Sequence, residues 1–504
     1  MLTFKKKHIM KKNILFKISF FMLVVTSLFI FSCQELEPDI EGTLTAGNFF
    51  QTEGDLDAAV TAQYNSLLSF ATYVHGQIPY FGGDDLTTWG AGNKDNFRQY
   101  DQFYPDADNG NVKAQNWNPW WKMVLTTNTV LDYYQEVDAS QEYLDQAAGQ
   151  AHFLRGLAYF FLVRTYGEVP LLSSTEVSGE EEKASFEAIY AQIISDFTQA
   201  KGLLPATWGD EQGRPTKWAA QSYLAHVYLT SAGFPLKNTA NYALAAAEAK
   251  NVIDNGPYAL VANFADLWND PTTQNNSESI FAINFCYSCG GWTFGNWKSV
   301  GSVSPEESGW QDFFTEVGFF NGFPEGPRKE ATFTTEFPAA GGGVITWQNS
   351  LHKHPYFAKW RGTLKDDKFD YNGGGPDLNA YLMRYSELLL TYAEARVMST
   401  SSTDTEALAS LNKVKRRAAG KPVNVPDPSV DVTSATQAEI VQERAWELAG
   451  EYSRWFDMVR TEIIEEVAAN KDALDLPVIG TINEANPWAL IPSSEVELNP
   501  NLGN

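Results

Sequence analysis

What most restricts the fold is a succession of helical stretches on both flanks of the chain. Apolar residues recur at three- to four-residue spacing over 55–70, through Ala58, Ala59, Ala62, Leu67 and Phe70, with Thr52 or Gly54 able to begin the helix. The same pattern predicts helices over 117–136, 141–166, 186–204, 216–231 and 242–255, and again over 381–398, 405–419 and 435–468. Gly, Pro or Asp/Ser signals bound each of them. Neighbouring helices are expected to pair as hairpins. Their small residues (Ala148, Ala151, Ala158; Ala219, Ala220, Ala225; Ala243, Ala246, Ala249) permit the close approach of stacked tetratricopeptide-type pairs. No clean period of about 34 residues recurs, so the repeats are degenerate.

Between 257 and 379 the texture changes to short strand-like runs, such as 279–285, and Gly-rich turns at 341–343 and 373–375. Loops carried on a rigid scaffold are where binding residues collect. The expected architecture is mainly α: a single domain over 44–504, with a helical scaffold at about 44–256 and 380–504 and a loop-rich subregion at about 257–379.

The N-terminus reads as an address. Six lysines, Lys5, Lys6, Lys7, Lys11, Lys12 and Lys17, precede an apolar run over 18–31, too short for a stable spanning helix. The run closes on Phe29-Ile-Phe-Ser-Cys33, where a small residue directly before cysteine resembles a bacterial lipobox, although Phe29 and Phe31 depart from its usual preferences. Residues 1–32 are expected to be a lipoprotein signal peptide, with translation starting at Met1 or Met10 and Cys33 as the lipidated first residue. Simple secretion is the alternative. The acidic, Pro-containing stretch over 33–43 reads as a solvated tether.

Charge narrows the partners. The chain carries −25 formally, and the six lysines of the leader leave −31 on the rest, which argues against nucleic acid and weakly against polyanions. Aromatic residues make up 14%, enough to supply stacking surfaces as well as a core. A neutral ligand fits this composition best.

Hydrolase signatures are absent: no His-Glu-x-x-His, Gly-x-Ser-x-Gly or phosphate loop occurs. Glu443, Glu447 and Glu451 share one helix face, but Arg444, Arg454 and Arg460 are interleaved with them. Structural ion pairs are therefore expected there, and likewise at Arg384, Glu387 and Glu394. His152 and His226 fall within helical periodicity as buried residues, while His352 and His354, near Trp347, are candidates for ligand contact. Asp366, Asp367, Asp370 and Asp377 surround a glycine run, but their spacing fits no defined calcium loop and reads as a solvated turn. No metal or other cofactor is expected. Cys286 and Cys289 follow a predicted strand; a small-loop disulfide, free thiols, and metal or redox chemistry are the three readings, with the disulfide favoured by an oxidising exterior.

Several segments together resemble the SusD/RagB family of outer-membrane nutrient-binding lipoproteins. They are Arg155-Gly-Leu-Ala-Tyr-Phe-Phe-Leu-Val-Arg-Thr-Tyr-Gly-Glu-Val-Pro-Leu171, Gly256-Pro-Tyr-Ala-Leu260 with Glu278-Ser-Ile-Phe281, Arg384-Tyr-Ser-Glu-Leu-Leu-Leu-Thr-Tyr-Ala-Glu-Ala395, Glu443-Arg-Ala-Trp-Glu-Leu448 with Arg454-Trp-Phe-Asp-Met-Val-Arg460, and Pro492-Ser-Ser-Glu-Val-Glu-Leu-Asn-Pro500. Lys415 and Ala419 depart from the pattern, as does the end at Asn504. The acidic tether is similar to the export signal of surface lipoproteins in Bacteroidetes. The resemblance implies a SusD-like fold and a lipid-anchored protein at the outer membrane, facing the exterior. Such a protein binds an oligo- or polysaccharide and delivers it to a SusC-like TonB-dependent transporter without catalysis. A peptide-binding relative of the same architecture is the first alternative and a surface-anchored glycoside hydrolase the second. The hydrolase would need two carboxylates facing across a groove.

Within that frame Gly290-Gly-Trp-Thr-Phe-Gly-Asn-Trp297 places Trp292, Phe294 and Trp297 in a Gly-flanked loop outside any helical period. Sugar rings pack their C–H faces on indoles, so these aromatics form a stacking platform, or else they pack into the core. A bridge between Cys286 and Cys289 would stiffen its base. Gly82-Gly-Asp-Asp-Leu-Thr-Thr-Trp-Gly90 offers Trp89 with Asp84 and Asp85 as hydrogen-bond acceptors, in a region that approaches the ligand in relatives; local turn capping by the two aspartates is the alternative. Trp117, Trp120 and Trp121 read as core.

Overall fold

Most of the long helices begin at a side chain able to accept a backbone hydrogen bond, so their starts follow from local chemistry. The computed structural model describes residues 49–209, 211–268, 274–361 and 377–503, with the backbone of 364–365 and 368–369. Thr52 caps α1 (Glu53–Gln63) in a capping box with Asp55. After α2 (Asn65–Ala71) and α3 (Asn118–Tyr133), Ser140 caps α4 (Gln141–Tyr166), Ser185 caps α5 (Phe186–Leu203) and Thr216 caps α6 (Lys217–Ala232), which leads to α7 (Asn241–Asn255).

Consecutive helices from α3 to α7 pack on one another as hairpin-like pairs. Glycine lets two of them come close: a Cβ at Gly156 of α4 would lie 3.2 Å from Asp196 of α5. The pair is locked there by charge, because Asp196 accepts from Arg155 Nη2 at 2.8 Å and from His152 Nδ1 at 2.8 Å. Further on, β1 (Ser279–Ile283) pairs antiparallel with β2 (Ala380–Arg384), and α8 (Tyr385–Ser399), α9 (Thr405–Ala418), α10 (Gln437–Glu447) and α11 (Arg454–Thr461) complete the scaffold. One apolar cluster runs from Leu67 to Leu502 through nearly all of these elements. Trp117 and Trp120 are buried in it and Trp121 packs against it.

Two helical expectations are corrected. The first residues of the stretch over 381–398 are strand, because Ala380–Arg384 is claimed by hydrogen bonding to β1 and is buried on both faces. The stretch over 435–468 is broken twice. Gly450 takes φ +74, where a Cβ would meet Phe357 at 2.7 Å, and Glu462 caps α11 at φ +56.

The segment between β1 and β2 is irregular, with two-stranded pairs of two or three residues and short helical turns. It is fastened to the helices by a buried set of charges. Arg384 bonds to Glu278 at 2.7 Å, Glu447 at 2.9 Å and Glu451 at 2.8 Å. Arg417 reaches Glu278 at 3.0 Å and Glu447, Arg328 reaches Glu443 at 2.7 Å and Glu447 at 3.2 Å, and Lys359 reaches Glu451 at 2.9 Å. Four cations thus meet four carboxylates, all with side chains almost wholly removed from water. The expected structural role of Glu443, Glu447 and Glu451 holds, but their partners are these four cations, with Lys415 also 3.4 Å from Glu443. Arg444 and Arg460 instead pair with Glu387, Asp457 and Glu394.

Of two units, Met1–Phe49 and Phe50–Asn504, the second contains all the elements above. The expected signal segment, tether and Cys33 lie outside the described residues. No described helix is long and apolar enough to cross a membrane.

Candidate functional site

The candidate site grows from the end of β1. Past Ile283 the chain turns out of the sheet, and Asp377 accepts from the backbone N–H of Tyr287 and, at 3.3 Å, of Ser288. Cys286 and Cys289 are joined by a disulfide, and Cys286 N donates to Phe294 O at 3.0 Å, so the loop is closed at its base. Phe294 folds over Gly290, where a Cβ would come within 2.3 Å of its ring. Trp297 N then donates to Thr72 O at 2.8 Å, tying the far end of the loop to the end of α2.

The result is a stack of rings. Trp292 lies on Trp297 with centroids 3.8 Å apart and planes 23° apart. Trp310 stands 6.0 Å from Trp292 at 39° and 5.9 Å from Trp297 at 30°, and Tyr73 stands 6.1 Å from Trp310 at 26°. Four rings therefore share roughly one orientation. Two of the three indole N–H groups are used internally: Trp292 Nε1 donates to Tyr73 Oη at 3.1 Å and Trp297 Nε1 to Trp292 O at 2.8 Å. Trp292 therefore offers a ligand its face and not its N–H edge. Trp292 is 53% exposed and Phe294 47%, Tyr73 and Trp310 are half-buried, and Trp297 is only 1% exposed.

Trp297 is thus corrected from a surface ring to the buried support of Trp292, because its backbone is bonded to Thr72 and its indole lies beneath its neighbour. Tyr73 and Trp310 complete the face in its place, and sequence reasoning missed both. Tyr73 lies just past the helical run over 55–70, and nothing in its spacing marks it. Trp310 follows Ser308-Gly309 outside any helical period, the same signal that singled out Trp292.

Trp89 is 36% exposed and its ring lies 4.8 Å from His352. Its loop is fastened to the segment that follows Trp310: Thr87 N donates to Phe314 O at 2.8 Å, Phe314 N returns a bond to Thr87 O at 3.0 Å, and Thr88 Oγ1 donates to Asp312 O at 2.7 Å. Lys94 ties in from the same side, with its ammonium on Trp310 O at 3.2 Å and paired with Asp312. His352 Nε2 bonds to Gln311 Oε1, and burial holds its imidazole down at about 4, so it is neutral at physiological pH. His354 is turned inward, with Nε2 3.1 Å from Asp475.

Asp84 and Asp85 are corrected as ligand acceptors. Asp84 forms a two-pronged pair with Arg454 at 2.5 and 2.8 Å. Asp85, 2% exposed, accepts from Gly450 N at 2.7 Å, and burial with the Asp84 charge beside it pushes its carboxyl up to about 7. Asp85 thus holds the turn at Gly450 and Asp84 the start of α11, so the two aspartates tie distant segments together rather than cap a local turn. Asp366, Asp367 and Asp370 lie outside the described residues. Among the described residues no three His, Cys, Asp or Glu side chains are grouped to hold a metal.

Helix pairs carrying a loop-rich insertion, with an aromatic face built on that insertion, define a mainly α protein of the SusD-like class. Residues 53–229 match the family profile described as starch-binding associating with outer membrane, and residues 271–502 match that of the SusD family. The chain belongs to the SusD/RagB family. It is 26% identical over 488 residues to SusD-like protein P2 of Formosa agariphila, covering 90% of this chain and 92% of that one. It superposes with TM-score 0.74 on a SusD superfamily protein from Parabacteroides distasonis, 22% identical, covering 91% of this chain and 98% of that one. It also superposes with TM-score 0.72 on a laminarin-binding SusD-like protein, 22% identical, covering 89% and 98%.

Proposed function

We propose that this protein binds a neutral oligo- or polysaccharide on the face formed by Tyr73, Trp292 and Trp310, bordered by Phe294 and Trp89, and performs no chemistry on it. The observation that carries this reading is the set of neighbouring open and half-buried rings, with Trp310 inclined 39° to Trp292 and 26° to Tyr73 and the Trp292 N–H already bonded to Tyr73 Oη. Such rings offer flat π faces, which suit the C–H face of a pyranose, and the disulfide-closed loop lowers the ordering cost of binding. The laminarin-binding relative of the same fold supports a glycan over a peptide. Lipidation at Cys33 after removal of 1–32 holds the protein by the tether over 33–43 to the outer membrane, facing outward. There the domain over 44–504 passes its glycan to a SusC-like TonB-dependent transporter.

Affinity electrophoresis of the lipid-free form through gels containing neutral and acidic polysaccharides tests the binding reading. Retardation by a neutral glycan, lost in Trp292→Ala and in Trp310→Ala, is expected. Migration unaffected by every glycan, or retardation that both variants retain, overturns it. Incorporation of labelled fatty acid into the wild type but not into Cys33→Ser tests the anchor.

A further inference from the structure

A concave surface lies on the helical side, lined by none of the rings described above. A cavity of about 560 Å³, within the range of small-molecule sites, opens between the α5–α6 connection, the start of α6 and β1. It shares no lining residue with the Tyr73–Trp292–Trp310 face. Three aromatic side chains line it, Trp208, Trp218 and Tyr258, and all three are only half-buried.

These rings are fixed in place. Trp208 Nε1 donates to Pro215 O at 2.8 Å, Tyr258 Oη lies 3.4 Å from Thr216 Oγ1, and Trp218 is braced by the Lys217 ammonium 4.5 Å from its ring centre. Fixed rings left open to water are apolar area that nothing in the chain covers. Around them the polar lining is mostly uncharged. The side-chain nitrogen of Asn275 and the amide of Gln212 have no hydrogen-bond partner among the described residues, and Asn275 holds its position at φ +58. Among the described lining residues the cation is Arg214, whose guanidinium lies 5.5 Å from the Trp208 ring centre and is already paired with Asp57 at 3.3 Å and Glu211 at 3.1 Å. Open aromatic faces with free amides and a spent cation suit a neutral polyhydroxylated ligand and suit an anion poorly. Trp208, Glu211 and Arg214 also line a neighbouring cavity of about 210 Å³, so an occupant on Trp208 has a second hollow beside it. That favours a short chain over a single ring.

We propose that this cavity is a second, independent site for a short neutral oligosaccharide, held on Trp208, Trp218 and Tyr258 with Asn275 and Gln212 bonding its hydroxyls. The test is ¹⁹F NMR of the whole protein labelled with 5-fluorotryptophan, with resonances assigned by single Trp→Phe variants. The probes are neutral gluco-, manno-, galacto- and xylo-oligosaccharides, with an oligogalacturonate as the acidic comparison. At least one neutral oligosaccharide is expected to shift the Trp208 and Trp218 resonances saturably. The shift should persist in Trp292→Ala/Trp310→Ala and disappear in Trp218→Ala. Absence of a saturable shift at Trp208 and Trp218 with every neutral probe overturns the proposal, as does a shift that vanishes with the double variant or a stronger response to the oligogalacturonate. The Trp292 and Trp310 resonances report the first face in the same spectra, so failure of one site is distinguishable from failure of the other. Their undisturbed positions in Trp218→Ala show that the variant is folded.

Discussion

Replacing Trp292 by alanine isolates the stacking contribution, because its indole is the most open ring of the set and its N–H is bonded to Tyr73 rather than free for ligand. An indole side chain presents about 250 Å², so at 53% exposure about 130 Å² is open, and a pyranose lying on one face covers about half of that. At about 25 cal/mol per Å² this is about 1.6 kcal/mol from the protein surface alone, and about 3 kcal/mol when the matching sugar face is counted. Trp292→Ala is therefore expected to weaken glycan binding about 15- to 150-fold. Isothermal titration against the glycan found by electrophoresis measures it, with the thermal midpoint showing that the scaffold is intact. The variant also uncovers Trp297, which gives a ligand a second, deeper indole to reach and places the outcome toward the lower end. A loss smaller than about threefold with unchanged stability would refute the stacking argument.

Three further outcomes follow from the geometry. Tyr73→Phe removes the acceptor for Trp292 Nε1 while keeping the ring, so a loss of about 0.5–1.5 kcal/mol in glycan affinity is expected, read in the same titration. Glu447→Gln leaves the buried set of charges with one excess positive charge, and chemical denaturation is expected to show a loss of about 3–5 kcal/mol. Burial pushes the Glu447 carboxyl up, but Arg417, Arg384 and Arg328 outweigh it and hold it down at about 2, below the 4.5 of a free side chain. That stabilisation is complete above about pH 4.5 and fades as pH falls toward 2, and an acid titration of Glu447→Gln should lack this component. Asp85 has the opposite sign: its carboxyl is raised from 3.8 to about 7, so its favourable contribution is complete below 3.8 and is lost as pH rises through 7. Asp85→Asn keeps an acceptor for Gly450 N and is expected to stabilise the protein by on the order of 4 kcal/mol at alkaline pH and hardly at all in acid, measured by thermal midpoints across that range.

Local chemistry was legible in the sequence and distant chemistry was not. The limits of α4, α5 and α6 follow from Ser140, Ser185 and Thr216, whose capping atoms sit within three residues of the groups they satisfy. The strand Ala380–Arg384 was misread because its partner lies about a hundred residues earlier, and its alanine, leucine and methionine carry no strand signal of their own. In the site, glycines on both sides of Trp292 and Phe294 betrayed their exposure. The burial of Trp297 depends on a carbonyl at Thr72, and the fate of Asp84 and Asp85 on Arg454 and Gly450, none of which adjoins them in sequence.

The contact between Trp292 and Trp297 has a consequence for how the protein absorbs light. Two indoles 3.8 Å apart with planes 23° apart share their electronic excitation. The far-ultraviolet circular dichroism should therefore carry an indole couplet superimposed on the helical signal, whose largest component, from the closest indole pair among the described residues, is lost when either ring is removed. That couplet is an intrinsic optical gauge of whether the ring stack is assembled, readable in intact protein with no label and no ligand bound.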